Sequence, residues 1–327
     1  MATGVVSIAA WDFRLSALAI GLFAFNIVAY VVVAGLTALR AIRYPRLFFA
    51  DMTDHRLGPG FFTAVAGSCI LGTQFLLMAR SVEAAAVFLA LGTALWIGLT
   101  YTIFTTLTVK RHKPPLEKGI AGSWLIAVVA TQSIAALAAL IAHDWSQPLR
   151  LELNFIALSM WLWGGMFYIW IISLIFYRYT FFILSPDDLT PPYWINMGAM
   201  AISALAGAHL VRNTPDAPFL ASLLPFLKGF TVFYWATGTW WIPMLLLLGV
   251  WRHLIQRFPL RYDPLYWGAV FPLGMYTVAT MQMAEALDLP FLLPLPPLVF
   301  AAALAAWALA CVGLLWELRK LLSAATR

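Results

Sequence analysis

PLYWGAVFPLGMYTVATMQMAEAL, residues 264–287, is an apolar segment whose one charged residue, Glu285, falls near its end. About 20 such residues cross the hydrocarbon core of a bilayer as an α-helix, so the segment is long enough to span a membrane. It opens with a proline, Pro264, followed by two aromatic residues and then by small ones. We therefore predict a membrane helix with close neighbours, and the rest of the chain can be compared with it.

The composition of the whole chain extends this prediction. The 327 residues are 63% hydrophobic and 10% charged, whereas a soluble domain is about 45–50% apolar and about 25% charged. We predict an all-α integral membrane protein with a single transmembrane domain over residues 1–327, and no room for a soluble catalytic or nucleic-acid-binding module. Apolar segments cover residues 1–11, 15–39, 58–79, 82–109, 119–142, 151–177, 192–211, 219–251, 264–287 and 291–316.

The basic residues divide these segments into two sets. Five of the 20 lysines and arginines follow odd-numbered segments, and the other fifteen, with Arg327 the last of them, follow even-numbered ones. Acidic residues show no such bias. By the positive-inside rule, the ends of the even segments and the C-terminus are therefore predicted to be cytoplasmic.

A repeated motif predicts five helical hairpins. Three odd segments open with proline and two aromatics before small residues, at Pro59, Pro192 and Pro264, and Trp124 marks a weaker copy. The odd helices are rich in small residues and the even ones in bulky residues, which favours an inner ring of odd helices and an outer layer facing lipid. We predict ten transmembrane helices with quasi-five-fold symmetry around a central pore. The first segment, shorter than the others, is expected to be a truncated or short pore helix.

Several kinds of chemistry have no support in the sequence. No lysine, arginine or aspartate is central in a predicted span, which argues against a proton pump or a carboxylate-based sodium symporter. Cys69 and Cys311 lie in apolar stretches, so no metal site is predicted, and we expect neither a cofactor nor enzymatic activity. The pair Asp187-Asp188 is interpreted as a turn leading into a helix start.

Pro272 lies within the span of residues 264–287, where a proline removes a backbone hydrogen bond. We predict a helix break near Phe271, with the freed backbone groups facing protein or a water-filled cavity. The phenylalanine ring beside the break could plug a lumen or simply pack in the core, and the sequence alone leaves both open.

Residues 267–287 closely resemble the ninth helix of the tellurite-resistance and dicarboxylate transporter family, which includes the plant slow-type anion channels. Residues 1–7, 191–199 and 233–241 support the resemblance, which spans nearly the whole chain. It implies a homotrimer in the cell membrane that passes small anions such as chloride, nitrate, sulfite or malate, and a pore occluded by a phenylalanine, here Phe271.

The expected mechanism is anion passage through a lumen without fixed carboxylates. Since no cation is expected in the pore to offset desolvation, weakly hydrated anions should be favoured. The alternative is a proton-coupled malate carrier, for which Glu285 and His209 are the visible protonatable candidates. A pore kink is assigned to Pro272 and Gly274. Candidate pore-lining residues are Gly4, Ser68, Thr73, Thr131, Ser133, Gly198, Ser203, Thr277 and Thr280.

Overall fold

The computed structural model describes residues 1–325, and Arg327 lies outside the described residues. Within them the chain forms helices and turns and no β-strand. The helices are α1 (Ala2–Asp12), α2 (Ser16–Arg43), α3 (Pro45–Met52), α4 (Thr63–Ala79), α5 (Val82–Val109), α6 (Leu116–Gly119), α7 (Ile126–Ala142), α8 (Leu149–Phe181), α9 (Ile195–Arg212), α10 (Pro218–Ser222), α11 (Leu224–Val250), α12 (Trp267–Leu287) and α13 (Leu295–Ala325).

Five helices form a closed inner ring. In order around the ring, α1 contacts α4, α4 contacts α7, α7 contacts α9, α9 contacts α12, and α12 returns to α1. Each is paired with the outer helix that follows it, in the hairpins α1–α2, α4–α5, α7–α8, α9–α11 and α12–α13. This arrangement of five hairpins is the one that the sequence repeat predicts.

Burial separates the two layers. Over their most apolar 18 residues, Gly122–Ala142 and Pro191–Arg212 are each 89% buried, whereas the outer Ser16–Arg43 is 17% buried. Among the described residues, eight helices are long and apolar enough to cross a membrane, and α1 and α12 are not among them. The all-α membrane fold is confirmed, while the number of ten spans stays a prediction.

The proline-aromatic motifs form short 3₁₀ turns that lead into inner helices. Proline fits the first turn of a helix because its φ is already helical and its missing N–H has no intrahelical partner there. The turns occupy Gly58–Phe62, Gly122–Leu125, Pro191–Trp194 and Pro264–Tyr266, directly before α4, α7, α9 and α12.

Every outer helix also holds the next inner helix by at least one hydrogen bond that involves an aromatic side chain, and α8 makes a second one from Tyr168 to the Asn196 carbonyl. Taking one such bond from each outer helix, we call these five bonds the aromatic clasps. In each of them an indole N–H or a tyrosine hydroxyl meets a polar oxygen that would otherwise be buried without this partner. The pairs are Tyr30 with Ser68 (2.7 Å), Trp96 with Thr131 (2.8 Å), Trp161 with the Ser203 carbonyl (2.8 Å), Trp235 with Thr280 (2.9 Å) and Trp307 with Thr3 (3.0 Å).

Arg178, near the end of α8, fixes the start of α9. Its guanidinium donates to the Tyr193 hydroxyl at 2.7 Å and to the Glu117 carbonyl at 2.8 Å, and it pairs with Asp188 at 2.9 Å. Asp188 also accepts two hydrogen bonds from Ser185. The interpretation of Asp187-Asp188 as a simple turn before a helix is therefore incomplete, because Asp188 closes an ion pair that holds this loop in place.

Candidate functional site

A cavity of about 250 Å³ lies inside the inner ring. Side chains from all five inner helices form its wall, so the cavity is enclosed by the whole ring and not by a single hairpin. The cavity lies toward the C-terminal ends of these helices, since Asp12 and Arg212 end α1 and α9. Its wall consists of Val5, Ile8, Asp12, Cys69, Ile70, Thr73, Leu77, Ser133, Ala136, Leu140, Ile202, Leu205, His209, Arg212, Met275, Val278 and Gln282.

Phe271 lies on the helical stripe that forms the α12 part of this wall. Met275, Val278 and Gln282 line the cavity, and they follow Phe271 at intervals of four, seven and eleven residues. Residues at these spacings share one face of an α-helix. The phenylalanine is therefore one turn below the cavity floor at Met275, and its side chain is fully buried, with 0% exposure.

The predicted helix break near Phe271 is wrong. Helix α12 is continuous from Trp267 to Leu287 with Pro272 inside it. Helix α12 begins directly after the 3₁₀ turn Pro264–Tyr266, and Pro272 lies in its second turn. Because proline has no N–H, the helix loses the hydrogen bond from residue 272 to the Gly268 carbonyl. The helix continues through the proline, as α11 does through Pro243, and kink roles for Pro272 and Gly274 stay predictions.

Three glycines of the inner ring occupy close helix contacts. A Cβ added at Gly198 would lie 2.8 Å from Pro272 Cγ, and one at Gly274 would lie 2.8 Å from Val5 Cγ1. At Gly4 the added atom would lie 2.6 Å from Ile70 Cγ2. The absence of a side chain at these positions lets the backbones of neighbouring helices approach closely.

The candidate hydroxyl residues fall into three groups. Thr73 and Ser133 line the cavity. Ser68, Thr131 and Thr280 instead face outer helices through the aromatic clasps, and each also donates to the carbonyl four residues earlier in its own helix. Ser203 and Thr277 likewise donate to such carbonyls. Contact of these residues with a permeating ion stays a prediction.

A polar cluster that the sequence analysis did not identify lies at the cavity mouth. Arg212 pairs with Glu285, with Nη2 to Oε2 at 2.7 Å, and also donates to the side-chain oxygen of Gln282. Gln282 in turn donates from Nε2 to Asp12 at 3.2 Å. We call Asp12, Arg212, Gln282 and Glu285 the mouth cluster.

The mouth cluster corrects one expectation. A lumen without fixed carboxylates was predicted, yet Asp12 and Arg212 both line the cavity. Asp12 and Arg212 are difficult to recognise as lining residues from the sequence. Each is the last residue of its helix and so resembles an ordinary charged residue at the membrane interface. A charged residue at the C-terminal end of several inner segments was the available signal.

The comparison with protein families matches residues 1–315 to the SLAC1 family, described as voltage-dependent anion channel. The chain belongs to this family. The SLAC1 family is one of channels and transporters, which agrees with a ring of membrane helices around a cavity, and it is the plant slow-type anion channel family that the sequence resembles.

Individual relatives agree with a membrane transport role. An uncharacterized membrane protein of Mycobacterium tuberculosis is 41% identical over 151 residues, which are 46% of this chain and 76% of that protein. An uncharacterized transporter of Methanocaldococcus jannaschii is 26% identical over 265 residues, 79% of this chain and 73% of that one. The chain is thus similar to membrane proteins and transporters of bacteria and archaea.

Proposed function

We propose that this SLAC1-family chain conducts small anions through its inner ring and that Phe271 occludes the pathway. The observation that carries the proposal is the cavity shared by all five inner helices, with Phe271 on the same helical stripe one turn below its floor. A bulky apolar ring in a narrow pathway excludes water and hydrated ions, which is how hydrophobic constrictions close channels.

Arg212 supports an anionic substrate. Its guanidinium carries a permanent positive charge and offers several N–H donors at the cavity wall. The hydroxyls of Thr73 and Ser133 donate to carbonyls of their own helices, Cys69 and Val129. Capture of an anion in this cavity therefore depends mainly on Arg212, and the substrates proposed are chloride, nitrate, sulfite or malate.

Shortening the gate residue tests the proposal. In Phe271→Ala the steric barrier is gone, so we expect chloride and nitrate currents in reconstituted bilayers to rise by about tenfold or more, which corresponds to about 1.4 kcal/mol of barrier. The matched control is Phe62→Ala, because Phe62 is equally buried but packs against Phe104 of outer helix α5, with ring centroids 6.0 Å apart.

Both variants should lose stability, by about 3–5 kcal/mol each, as expected for removing a buried phenylalanine. Only Phe271→Ala should conduct. Equal currents in the two variants would show that any cavity in the ring leaks, and the assignment of the gate to Phe271 would then be wrong.

A proton-coupled carrier for a dicarboxylate such as malate is the second candidate, and one observation favours it. His209 and Asp12 are titratable side chains that line the cavity, and a carrier needs a protonatable group in its pathway. A carrier predicts saturable malate uptake by the parent chain that depends on an inward proton gradient, with no ohmic current in Phe271→Ala.

We further propose one transmembrane domain, a homotrimer, and placement in the cell membrane with the C-terminus in the cytoplasm. The bias of basic residues toward even-numbered helix ends supports the orientation. Large apolar side chains exposed on outer helices, among them Phe155 and Trp170 on α8, support contact with lipid or with neighbouring subunits. Reporter fusions at the C-terminus check its predicted cytoplasmic location. Native mass spectrometry of the purified protein checks the homotrimer.

A further inference from the structure

The mouth cluster holds one arginine between two carboxylates. Arg212 ends α9, Asp12 ends α1, and Glu285 lies on α12 one turn beyond Gln282. Gln282 joins them, because its side-chain oxygen accepts from Arg212 while its amide nitrogen donates to Asp12 at 3.2 Å. Three inner helices therefore meet in a single hydrogen-bonded chain at the entrance of the cavity.

The two carboxylates are connected to Arg212 differently, because Asp12 is linked to it only through Gln282. Glu285 pairs with it directly, but its side chain is 55% exposed and that of Arg212 is 36% exposed. Ion pairs with this exposure contribute only about 0–1 kcal/mol, since both partners are well solvated when apart. An incoming anion can thus replace Glu285 at the guanidinium at small cost, while Gln282 keeps the guanidinium in place.

Asp12 remains beside the anion after this exchange. It is half-buried and lines the cavity together with apolar side chains such as Val5 and Ile8. A dianion in the cavity carries a second negative charge. The lining residues offer no second arginine or lysine to pair with that charge, and the Asp12 carboxylate repels it. The cost of removing an ion from water rises with the square of its charge, so an uncompensated dianion is strongly disfavoured.

We propose that the mouth cluster makes the pathway selective for monovalent anions over divalent ones, with Arg212 as the binding group and Asp12 as the group that rejects a second charge. This inference rests on the proposed anion conduction and restricts the proposed substrates to monovalent anions. The volume of about 250 Å³ is not the discriminating property, because it accommodates malate as well as nitrate.

Two pairs of anions that differ in charge test the inference, and in one of them, nitrate and sulfate, the sizes are also similar. In Phe271→Ala channels at neutral pH, reversal potentials give the permeability of nitrate relative to sulfate and of acetate relative to malate. We expect the monovalent member to be favoured at least about tenfold in each pair. A dianion that permeates as well as its monovalent partner overturns the inference.

Charge-removing variants in the same background locate the filter. Asp12→Asn should raise the relative permeability of sulfate and malate by about threefold to tenfold, and Arg212→Gln should lower the flux of all these anions by about tenfold. The matched control is Glu152→Gln, which removes a carboxylate at the exposed start of outer helix α8, away from the cavity. If Asp12→Asn and Glu152→Gln behave alike, Asp12 is not the rejecting group.

The outcomes separate this inference from the pore itself. Nitrate current in Phe271→Ala with equal sulfate current overturns the valence filter and leaves the pore standing. Absence of current for every anion overturns the proposed pore. In that case, uptake of isotope-labelled acetate and malate by the parent chain compares monovalent with divalent anions for a carrier. Preferential uptake of malate over acetate in that assay contradicts the filter as well.

Discussion

At the scale of single residues, Arg178 and Asp188 show how a charge can organise a loop beneath an inner helix. The Arg178 side chain is only 6% exposed, and its nitrogens reach Glu117, Tyr193 and Asp188. Partial burial opposes ionisation of Asp188, but hydrogen bonds from Ser185 and the nearby guanidinium outweigh it and lower the pKa of this carboxyl. The ionised carboxylate is thus the form that the fold prefers.

The sign of the pH dependence follows from that shift. Because the folded-state pKa of Asp188 lies below its unfolded value of about 3.9, the pair stabilises the fold at neutral pH, and this contribution is lost as the pH falls through the lowered folded pKa. We expect Asp188→Asn to cost about 1 kcal/mol at pH 7, allowing for the exposed part of the carboxylate.

Thermal unfolding in detergent across pH measures this effect. The difference in melting temperature between the parent and Asp188→Asn should shrink as the pH falls below about 4. Asp187→Asn is the matched control, since Asp187 is adjacent and exposed, and it should match the parent at every pH. A constant difference for Asp188→Asn would mean that the carboxylate does not act through its charge.

At this scale, sequence reasoning can single out only a residue that carries its own signal, and the gate role of Phe271 stays a prediction. Phe271 stands out because a bulky ring adjoins a proline among small residues. The partners of Arg212 do not stand out, because Gln282 and Glu285 are 70 and 73 residues away along the chain. Their pairing depends on how α9 and α12 align, which residue types alone do not reveal.

At the scale of helices, the contact between α9 and α12 connects helix packing to the proposed gate residue, Phe271. Gly198 lies against Pro272, the residue directly after Phe271, and an added Cβ would also lie 3.0 Å from the Pro272 Cα. Since backbone cannot yield as a flexible side chain does, Gly198→Ala should push α12 away and destabilise the protein by about 1–3 kcal/mol. It should also open a leak, because Phe271 moves with Pro272.

Gly67→Ala is the matched control for this experiment. Gly67 lies in inner helix α4 and has open space where a Cβ would be placed. Alanine there should be neutral or stabilising by up to about 1 kcal/mol, as in any helix interior. Melting temperature and anion flux of the two variants give the comparison, and equal stability would show that the α9–α12 contact is not tight.

The helices themselves were predictable because their signals are local. The apolar segments at residues 82–109 and 264–287 match helix α5 and the turn-plus-helix ending at Leu287 at both ends. The repeated proline-aromatic motifs marked the starts of inner helices, and the 3₁₀ turns found there were not predicted. The continuity of α12 through Pro272 was not predictable, since the effect of a proline in a membrane helix depends on the groups that pack around it.

At the scale of the whole molecule, the small residues of the odd segments predicted which helices form the inner ring. They did not predict which way each hydroxyl points. Thr131 and Thr280 were candidate pore contacts, yet both accept an indole hydrogen bond from an outer helix, whereas Thr73 lines the cavity. A small polar residue can either pack against an outer helix or line the cavity. Here a hydrogen bond from a tryptophan of the outer helix identifies the packing role.

Closure of the ring also sets the order in which the molecule can be assembled. The contacts that join α1 to the end of the chain link residues far apart in sequence, with 270 positions between Asp12 and Gln282 and 304 between Thr3 and Trp307. A ribosome delivers α1 first and α13 last, so the inner helices wait in the membrane as an open arc. No enclosed lumen exists during that interval, and when α12 arrives to complete it, Phe271 arrives on the same helix. With Phe271 as the proposed plug, the nascent protein acquires its channel and its plug in one step, and the membrane is protected from leakage during biosynthesis.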